Sequence, residues 1–122
     1  MTLGDRWGLW LPPALYGLLI VALSHMSRPP VPPSIPGDLL HYPEFAVLAF
    51  LLVRAFQGRR PGLPSPGAVM AALGATLAFG ALDEVHQAFV PERMPDAVDW
   101  LRDAAGAGAG IVLWGLWRWM RR

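Results

Sequence analysis

The fold follows from two stretches of the sequence, ALYGLLIVAL at residues 14–23 and AVLAFLLV at residues 46–53. Both stretches are apolar on every side of a helix, whereas a surface helix of a water-soluble bundle carries polar residues on one face. A helix that crosses a hydrocarbon layer of about 30 Å needs roughly 20 mainly apolar residues. The two stretches therefore predict membrane-spanning helices and argue against a soluble four-helix protein.

Around these two stretches, four segments approach the length of a membrane span. They run approximately over residues 7–26, 38–57, 66–90 and 97–120. The connections between them, SRPPVPPSIPG, GRRPGLPS and PERMPD, are short and rich in Pro and Gly, which suits antiparallel neighbours. The second and fourth segments contain several ionisable residues. We predict an all-α integral membrane four-helix bundle with short loops, forming a single domain over residues 1–122.

The composition excludes several classes of function. Of the 122 residues, 54% are hydrophobic, and the chain contains no cysteine and no lysine. Disulfides and thiolate metal sites are therefore excluded. The formal net charge is only +1, which provides no broad basic surface, so we expect no nucleic-acid partner.

The arginines are divided unequally between the two ends of the predicted bundle. The end that holds both termini and the middle connection has seven, and the opposite end has three, Arg28, Arg93 and Arg102. Arginine and lysine are concentrated in the cytoplasmic loops of membrane proteins. The sequence therefore predicts that both termini lie in the cytoplasm.

Eight of the nine acidic residues and all three histidines lie near the extracytoplasmic end of the predicted helices. With a rise of about 1.5 Å per residue, Glu44, Asp83 and Asp103 fall at a common depth. An acid facing lipid at the helix centre costs roughly 2.5 to 3.5 kcal/mol, so these side chains should face a water-filled cleft or pair with one another and with arginine. Pro43, inside a helix that starts at Asp38, predicts irregular backbone of the kind that lines a cavity. The predicted members of this polar cleft are Asp38, His41, Glu44, Asp83, Glu84, His86, Gln87, Arg93, Asp99, Arg102 and Asp103.

Two longer stretches resemble a known family. LDEVHQAFVPERMPDAVDWLRDAAGAGAG, at residues 82–110, is similar to the signature of VanZ-like membrane proteins: an acidic pair and a Gln, a Phe-x-Pro-x-Arg turn, an Asp, a polar residue four positions on, and a Gly-rich helix. DLLHYPEFAVLAFLLVRAF, at residues 38–56, resembles the second helix of that family. The resemblance selects Asp38, His41, Glu44, Phe45, Arg54, Asp83, Glu84, Gln87, Phe89, Pro91, Arg93, Asp99, Asp103, Gly106 and Gly110.

Three positions depart from the family pattern. Glu92 stands where glycine is common, Asp103 where asparagine is typical, and Leu39 where lysine often follows the first Asp. A carboxylate in place of an amide adds a negative charge to an acidic site. The family is associated with low-level resistance to the glycopeptide antibiotic teicoplanin. The resemblance therefore implies a multi-pass protein of the bacterial inner membrane, in contact with membrane lipids and linked to glycopeptide resistance.

Three functions are compatible with the polar cleft. In the first, the cleft binds or processes an envelope lipid head group or a cell-wall precursor, with Arg93 and Arg102 holding an anionic group. In the second, the protein is an accessory structural subunit of a larger membrane complex. In the third, it is an intramembrane metal-dependent hydrolase with His41, Glu44, Asp83 and His86 as ligands and Glu84 as general base. No His-Glu-x-x-His spacing supports this third function, so we assign no metal ligands, no cofactor and no catalytic residues.

Overall fold

The computed structural model describes all residues from 1 to 122 and contains four α-helices and no strands. The helices are α1 (Leu3–His25), α2 (His41–Gln57), α3 (Pro66–Gln87) and α4 (Ala97–Met120), with a 3-10 turn over Gly37–Leu40 directly before α2. The all-α four-helix prediction is confirmed. Because the chain reverses after every helix, the ends of α1 and α3 lie beside the starts of α2 and α4, and this end of the bundle carries the predicted cleft residues.

The helix bounds differ from the predicted ones for local reasons. α1 begins earlier than predicted because Thr2 and Asp5 form a reciprocal capping box, in which each side chain accepts from the other residue's backbone N–H. α3 ends at Gln87 and the chain continues in turns. The prediction for Pro43 is half right: α2 begins at His41, so Pro43 is its third residue and lies in regular helix, but Pro43 does line a cavity at this end of the bundle.

Three of the helical segments are long and apolar enough to cross a membrane, namely Leu3–His25, Gly37–Gln57 and Pro66–Gln87. α4 has 24 residues but is less apolar, because it is rich in glycine and carries Asp99, Arg102 and Asp103 in its first two turns. Many large apolar side chains point outward from the bundle, among them Leu15, Leu18 and Leu113. An apolar exterior around helices of this length identifies a membrane protein.

The closest packing in the bundle lies between α2 and α4. Gly106 and Gly110 of α4 lie against the backbone of α2, and a Cβ atom there would come within 2.4 Å of the Tyr42 carbonyl oxygen and 2.0 Å of the Ala46 carbonyl oxygen. The apolar core continues toward the other end of these helices around Val53 and Trp114. The Gly-x-x-x-Gly pair therefore serves packing within one chain, and it holds the middle of α4 against the start of α2.

Candidate functional site

A cavity of about 650 Å³ opens where the end of α1, the start of α2, the end of α3 and the chain before α4 meet. One wall is polar and is formed by Asp38, His41, Glu44, Asp83, Gln87, Arg93 and Asp99. An apolar wall comes from the Pro-rich chain between α1 and α2, with Val31 and Ile35 among its members. The cavity is therefore amphipathic, because both charged groups and apolar side chains line it.

His41 is the centre of the polar wall. Its Nδ1 lies 2.7 Å from Oδ1 of Asp103, and its Nε2 lies 3.5 Å from Oδ2 of Asp99. The Asp103 side chain is completely buried, whereas His41 and Asp99 remain partly exposed and line the cavity. The first residue of α2 is thereby fixed between two carboxylates of α4 that are one helical turn apart.

Arg102 neutralises part of this acidic group from the outer side. Its guanidinium donates to Oδ1 of Asp99 and lies 3.7 Å from a carboxylate oxygen of Asp38. The Asp38 side chain is mostly exposed, so this pair forms the rim of the cavity. Deeper in the cavity, the Gln87 amide donates to the Asp83 carboxylate over 3.2 Å, one turn along α3.

Glu84 joins the end of α3 to the start of α4. Its Oε2 accepts the backbone N–H of Asp96, the N-cap residue of α4, over 2.9 Å. Its other oxygen, Oε1, is buried and has no hydrogen-bond partner. A carboxylate oxygen of Glu84 also lies within 4.8 Å of a ring nitrogen of His41 and of a carboxylate oxygen of Asp99, all three being atoms that can bind a metal ion. Glu84 therefore belongs to the His41 cluster, although it does not line the cavity.

Arg93 differs from the other two arginines at this end of the bundle. Arg28 pairs with Glu92 over 3.6 Å, and Arg102 pairs with Asp99 and Asp38, but Arg93 forms no ion pair within 4.0 Å. It is half-buried and lines the cavity. A guanidinium that lacks a protein partner in a cavity is available to a ligand.

His86 is not part of the His41 cluster. Its Nε2 lies 3.2 Å from Nδ1 of His25, and it lines a separate small hollow with Phe79 and Leu82. Of the four metal ligands considered in the hydrolase hypothesis, only His41 belongs to the group that the structure brings within 4.8 Å, and its companions are Glu84 and Asp99 rather than Glu44, Asp83 and His86.

The first helix contributes cavity residues that the sequence did not single out. Tyr16 and Ser24 line the cavity from α1. They share a helix face with the buried residues Gly17 and Ile20. The only sign of this cavity face in the sequence of α1 is that it carries the one tyrosine and the one serine of a largely apolar helix. The Pro-rich connection, interpreted above only as a loop, forms the apolar wall.

The fold and the site define a class of protein: a small helical membrane protein with a histidine–carboxylate cluster and an amphipathic cavity at one end of its bundle. The model of the VanZ/LLP1 family matches residues 14–118, and the chain belongs to that family. The matched region includes every residue of the cavity wall described above. No curated protein and no solved structure matches the chain.

Proposed function

We propose that the cavity binds the anionic polar head of a cell-envelope component, either a lipid head group or a cell-wall precursor, at the extracytoplasmic face of the bacterial inner membrane. The observation that carries this proposal is the unpaired Arg93 in a cavity that has one charged wall and one apolar wall. Its volume of about 650 Å³ is that of a small-molecule site.

The two walls suit the two parts of such a ligand. The Arg93 guanidinium offers a planar pair of donors to a phosphate or carboxylate. Glu44 and the Asp83–Gln87 pair offer acceptors and donors to sugar hydroxyls or an amine. The apolar wall of Val31, Ile35 and neighbouring prolines accepts the first part of a hydrocarbon chain.

The test is a comparison of retained ligand in Arg93→Lys and in the wild-type protein. The protein is extracted gently from membranes, and the co-purifying lipids and glycans are quantified by native mass spectrometry. Lysine keeps the positive charge but cannot form the bidentate contact. We expect Arg93→Lys to fold normally and to lose roughly tenfold or more of the retained anionic ligand, which corresponds to about 1.4 kcal/mol of binding free energy.

Arg28→Lys is the matched control. Arg28 lies at the same end of the bundle but is exposed and pairs with Glu92 outside the cavity, so its conservative substitution should leave ligand retention unchanged. Wild-type retention by Arg93→Lys, together with full complementation of a deletion strain's envelope phenotype, would contradict the proposal and favour the accessory-subunit hypothesis. In the same strain, loss of the protein should change susceptibility to teicoplanin.

The proposal requires that all four helices span the membrane, with both termini in the cytoplasm. The seven arginines at the end opposite the cavity support this orientation. Because the chain has no cysteine, single cysteines introduced at Ser65 and at the exposed Met94 report the two faces independently. An impermeant thiol reagent applied to intact cells should label Met94→Cys and not Ser65→Cys; the reverse pattern would place the cavity in the cytoplasm.

A further inference from the structure

We infer that His41, Glu84 and Asp99 form a binding site for one divalent transition-metal ion, with zinc as the best fit, beside the cavity. Three features that are independent of the proposed ligand lead to this inference: the state of the His41 ring, the spacing of the ligand atoms and the unpartnered oxygen of Glu84.

The contact with Asp103 determines which ring nitrogen of His41 is free. A carboxylate accepts hydrogen bonds, so in a neutral ring the 2.7 Å contact places the hydrogen on Nδ1 and leaves the lone pair on Nε2. Histidines that bind metals are held in this way, with a carboxylate on the nitrogen that does not bind the ion. The complete burial of Asp103 fixes the ring in that orientation.

The spacing of the free atoms fits a metal better than a hydrogen bond. Nε2 of His41 and Oδ2 of Asp99 are 3.5 Å apart, longer than the 2.7 to 3.2 Å of an N–H···O bond. Two atoms each about 2.1 Å from a tetrahedral zinc ion lie about 3.4 Å apart. The Glu84 oxygen is within 4.8 Å of both, so a shift of that side chain toward them would bring three ligands to one ion.

The unpartnered oxygen of Glu84 is the third feature. The residue is only 8% exposed, and one of its carboxylate oxygens is buried without any partner. Buried carboxylate oxygens are normally hydrogen-bonded, and an ion satisfies an oxygen that the protein leaves unpaired. The second oxygen is held by the backbone N–H of Asp96, which limits the rotation of the side chain.

The charge of the cluster agrees with a divalent ion. Around a neutral His41 lie the carboxylates of Glu84, Asp99 and Asp103, and the guanidinium of Arg102 beside Asp99 is shared with Asp38. A divalent cation offsets most of the remaining negative charge. Imidazole and carboxylate ligands together suit zinc, and three protein ligands leave a fourth position open. His41 and Asp99 line the cavity, so an ion that they bind lies next to it.

The experiment measures binding of Zn²⁺ alone to the full-length protein in detergent. The protein is first freed of metal with a chelator and is then titrated in competition with a chromophoric chelator. We expect one equivalent of zinc in the wild-type protein. Glu84→Gln and His41→Gln should each weaken the affinity by roughly tenfold or more, and Asp103→Asn by about 10- to 100-fold through the histidine that it holds. Cobalt substitution should give the absorption bands of a four-coordinate site.

His86→Gln is the matched control, because the His25–His86 pair is the other place at this end of the bundle where a histidine nitrogen lies close to a second group that could bind a metal. Its zinc affinity should equal that of the wild-type protein. The absence of one saturable equivalent in the wild-type protein would overturn the inference and leave His41 as a protonated bridge between Asp99 and Asp103. Zinc binding that is lost in His86→Gln and retained in Glu84→Gln would overturn it in favour of the surface pair.

Folding defects do not obscure the result. Gel filtration and thermal melting are measured for each variant, and Asp99→Asn replaces any variant that fails to fold. The wild-type stoichiometry and the cobalt spectrum decide the question without a variant. Since Arg93→Lys tests ligand retention and these experiments use the metal alone, the failure of one proposal is distinguishable from the failure of the other.

Discussion

Gly110→Ala should separate α2 and α4, the helices that carry His41 and its two aspartate partners. A Cβ atom at Gly110 would lie 2.0 Å from the carbonyl oxygen of Ala46, 2.8 Å from its carbonyl carbon and 3.0 Å from its Cα. All three are backbone atoms of α2, so no change of side-chain rotamer relieves the clash. Ordinary contact begins at 3.4 Å, and α4 must therefore move away from α2 by about 1.4 Å at this point.

Two effects of opposite sign determine the size of the loss. Overpacking of a close-packed interior costs about 1 to 3 kcal/mol, and a clash against rigid backbone belongs at the upper end of that range. Alanine in place of glycine stabilises a helix by about 1 kcal/mol. We therefore expect a net loss of about 2 kcal/mol in the free energy of unfolding, together with an opening of the 2.7 Å contact between His41 and Asp103.

Gly108→Ala is the matched control for this measurement. It makes the same chemical change two residues away on α4, where a Cβ atom would meet nothing within 4 Å. Both variants are unfolded in detergent by heat and by titration with a denaturing detergent, with tryptophan fluorescence as the probe. Gly110→Ala should unfold first, and Gly108→Ala should be at least as stable as the wild-type protein. Equal stability of the two variants would refute the close approach of α4 to α2.

Two further substitutions test hydrogen bonds between side chains and the backbone. Gln57→Ala should reduce the free energy of unfolding by about 1 to 3 kcal/mol in the same detergent assay. The buried Gln57 amide accepts a hydrogen bond from the Ser65 N–H over 2.9 Å and donates one to the Leu63 carbonyl. Its removal leaves these two backbone groups unpaired. Trp100→Phe should cost about 1 kcal/mol, because it removes the 3.0 Å bond from the indole N–H to the Leu77 carbonyl that ties α4 to α3; an unchanged melting temperature would show that this bond contributes nothing.

The sequence predicted most residues of the candidate site but not how they pair. Helical periodicity and charge segregation identified the residues at one end of the bundle, including His41, Asp99 and Asp103. The pairing of His41 with those two aspartates, rather than with Glu44 or Asp83, depends on how α4 is rotated against α2. That rotation is set by the contacts of Gly106 and Gly110 with α2. The periodicity within α4 cannot specify which residues of α2 these glycines contact. His86 was assigned to the cleft by its depth and by its spacing from Asp83, but in the structure its ring lies against His25.

The sequence alone determined the features that depend on short stretches of the chain, namely the helices and their ends. Long apolar runs require helices in a membrane, because backbone groups in lipid must be hydrogen-bonded within their own segment, and Pro and Gly mark the helix ends within a few residues. The tertiary structure decided which polar groups are paired and which are free. Contacts between residues distant in the chain determine that Arg93 has no ion-pair partner, that one oxygen of Glu84 has no hydrogen-bond partner, and that the segment before α2 forms an apolar wall. Such contacts follow from the packing of whole helices, which the pattern within any one helix does not encode.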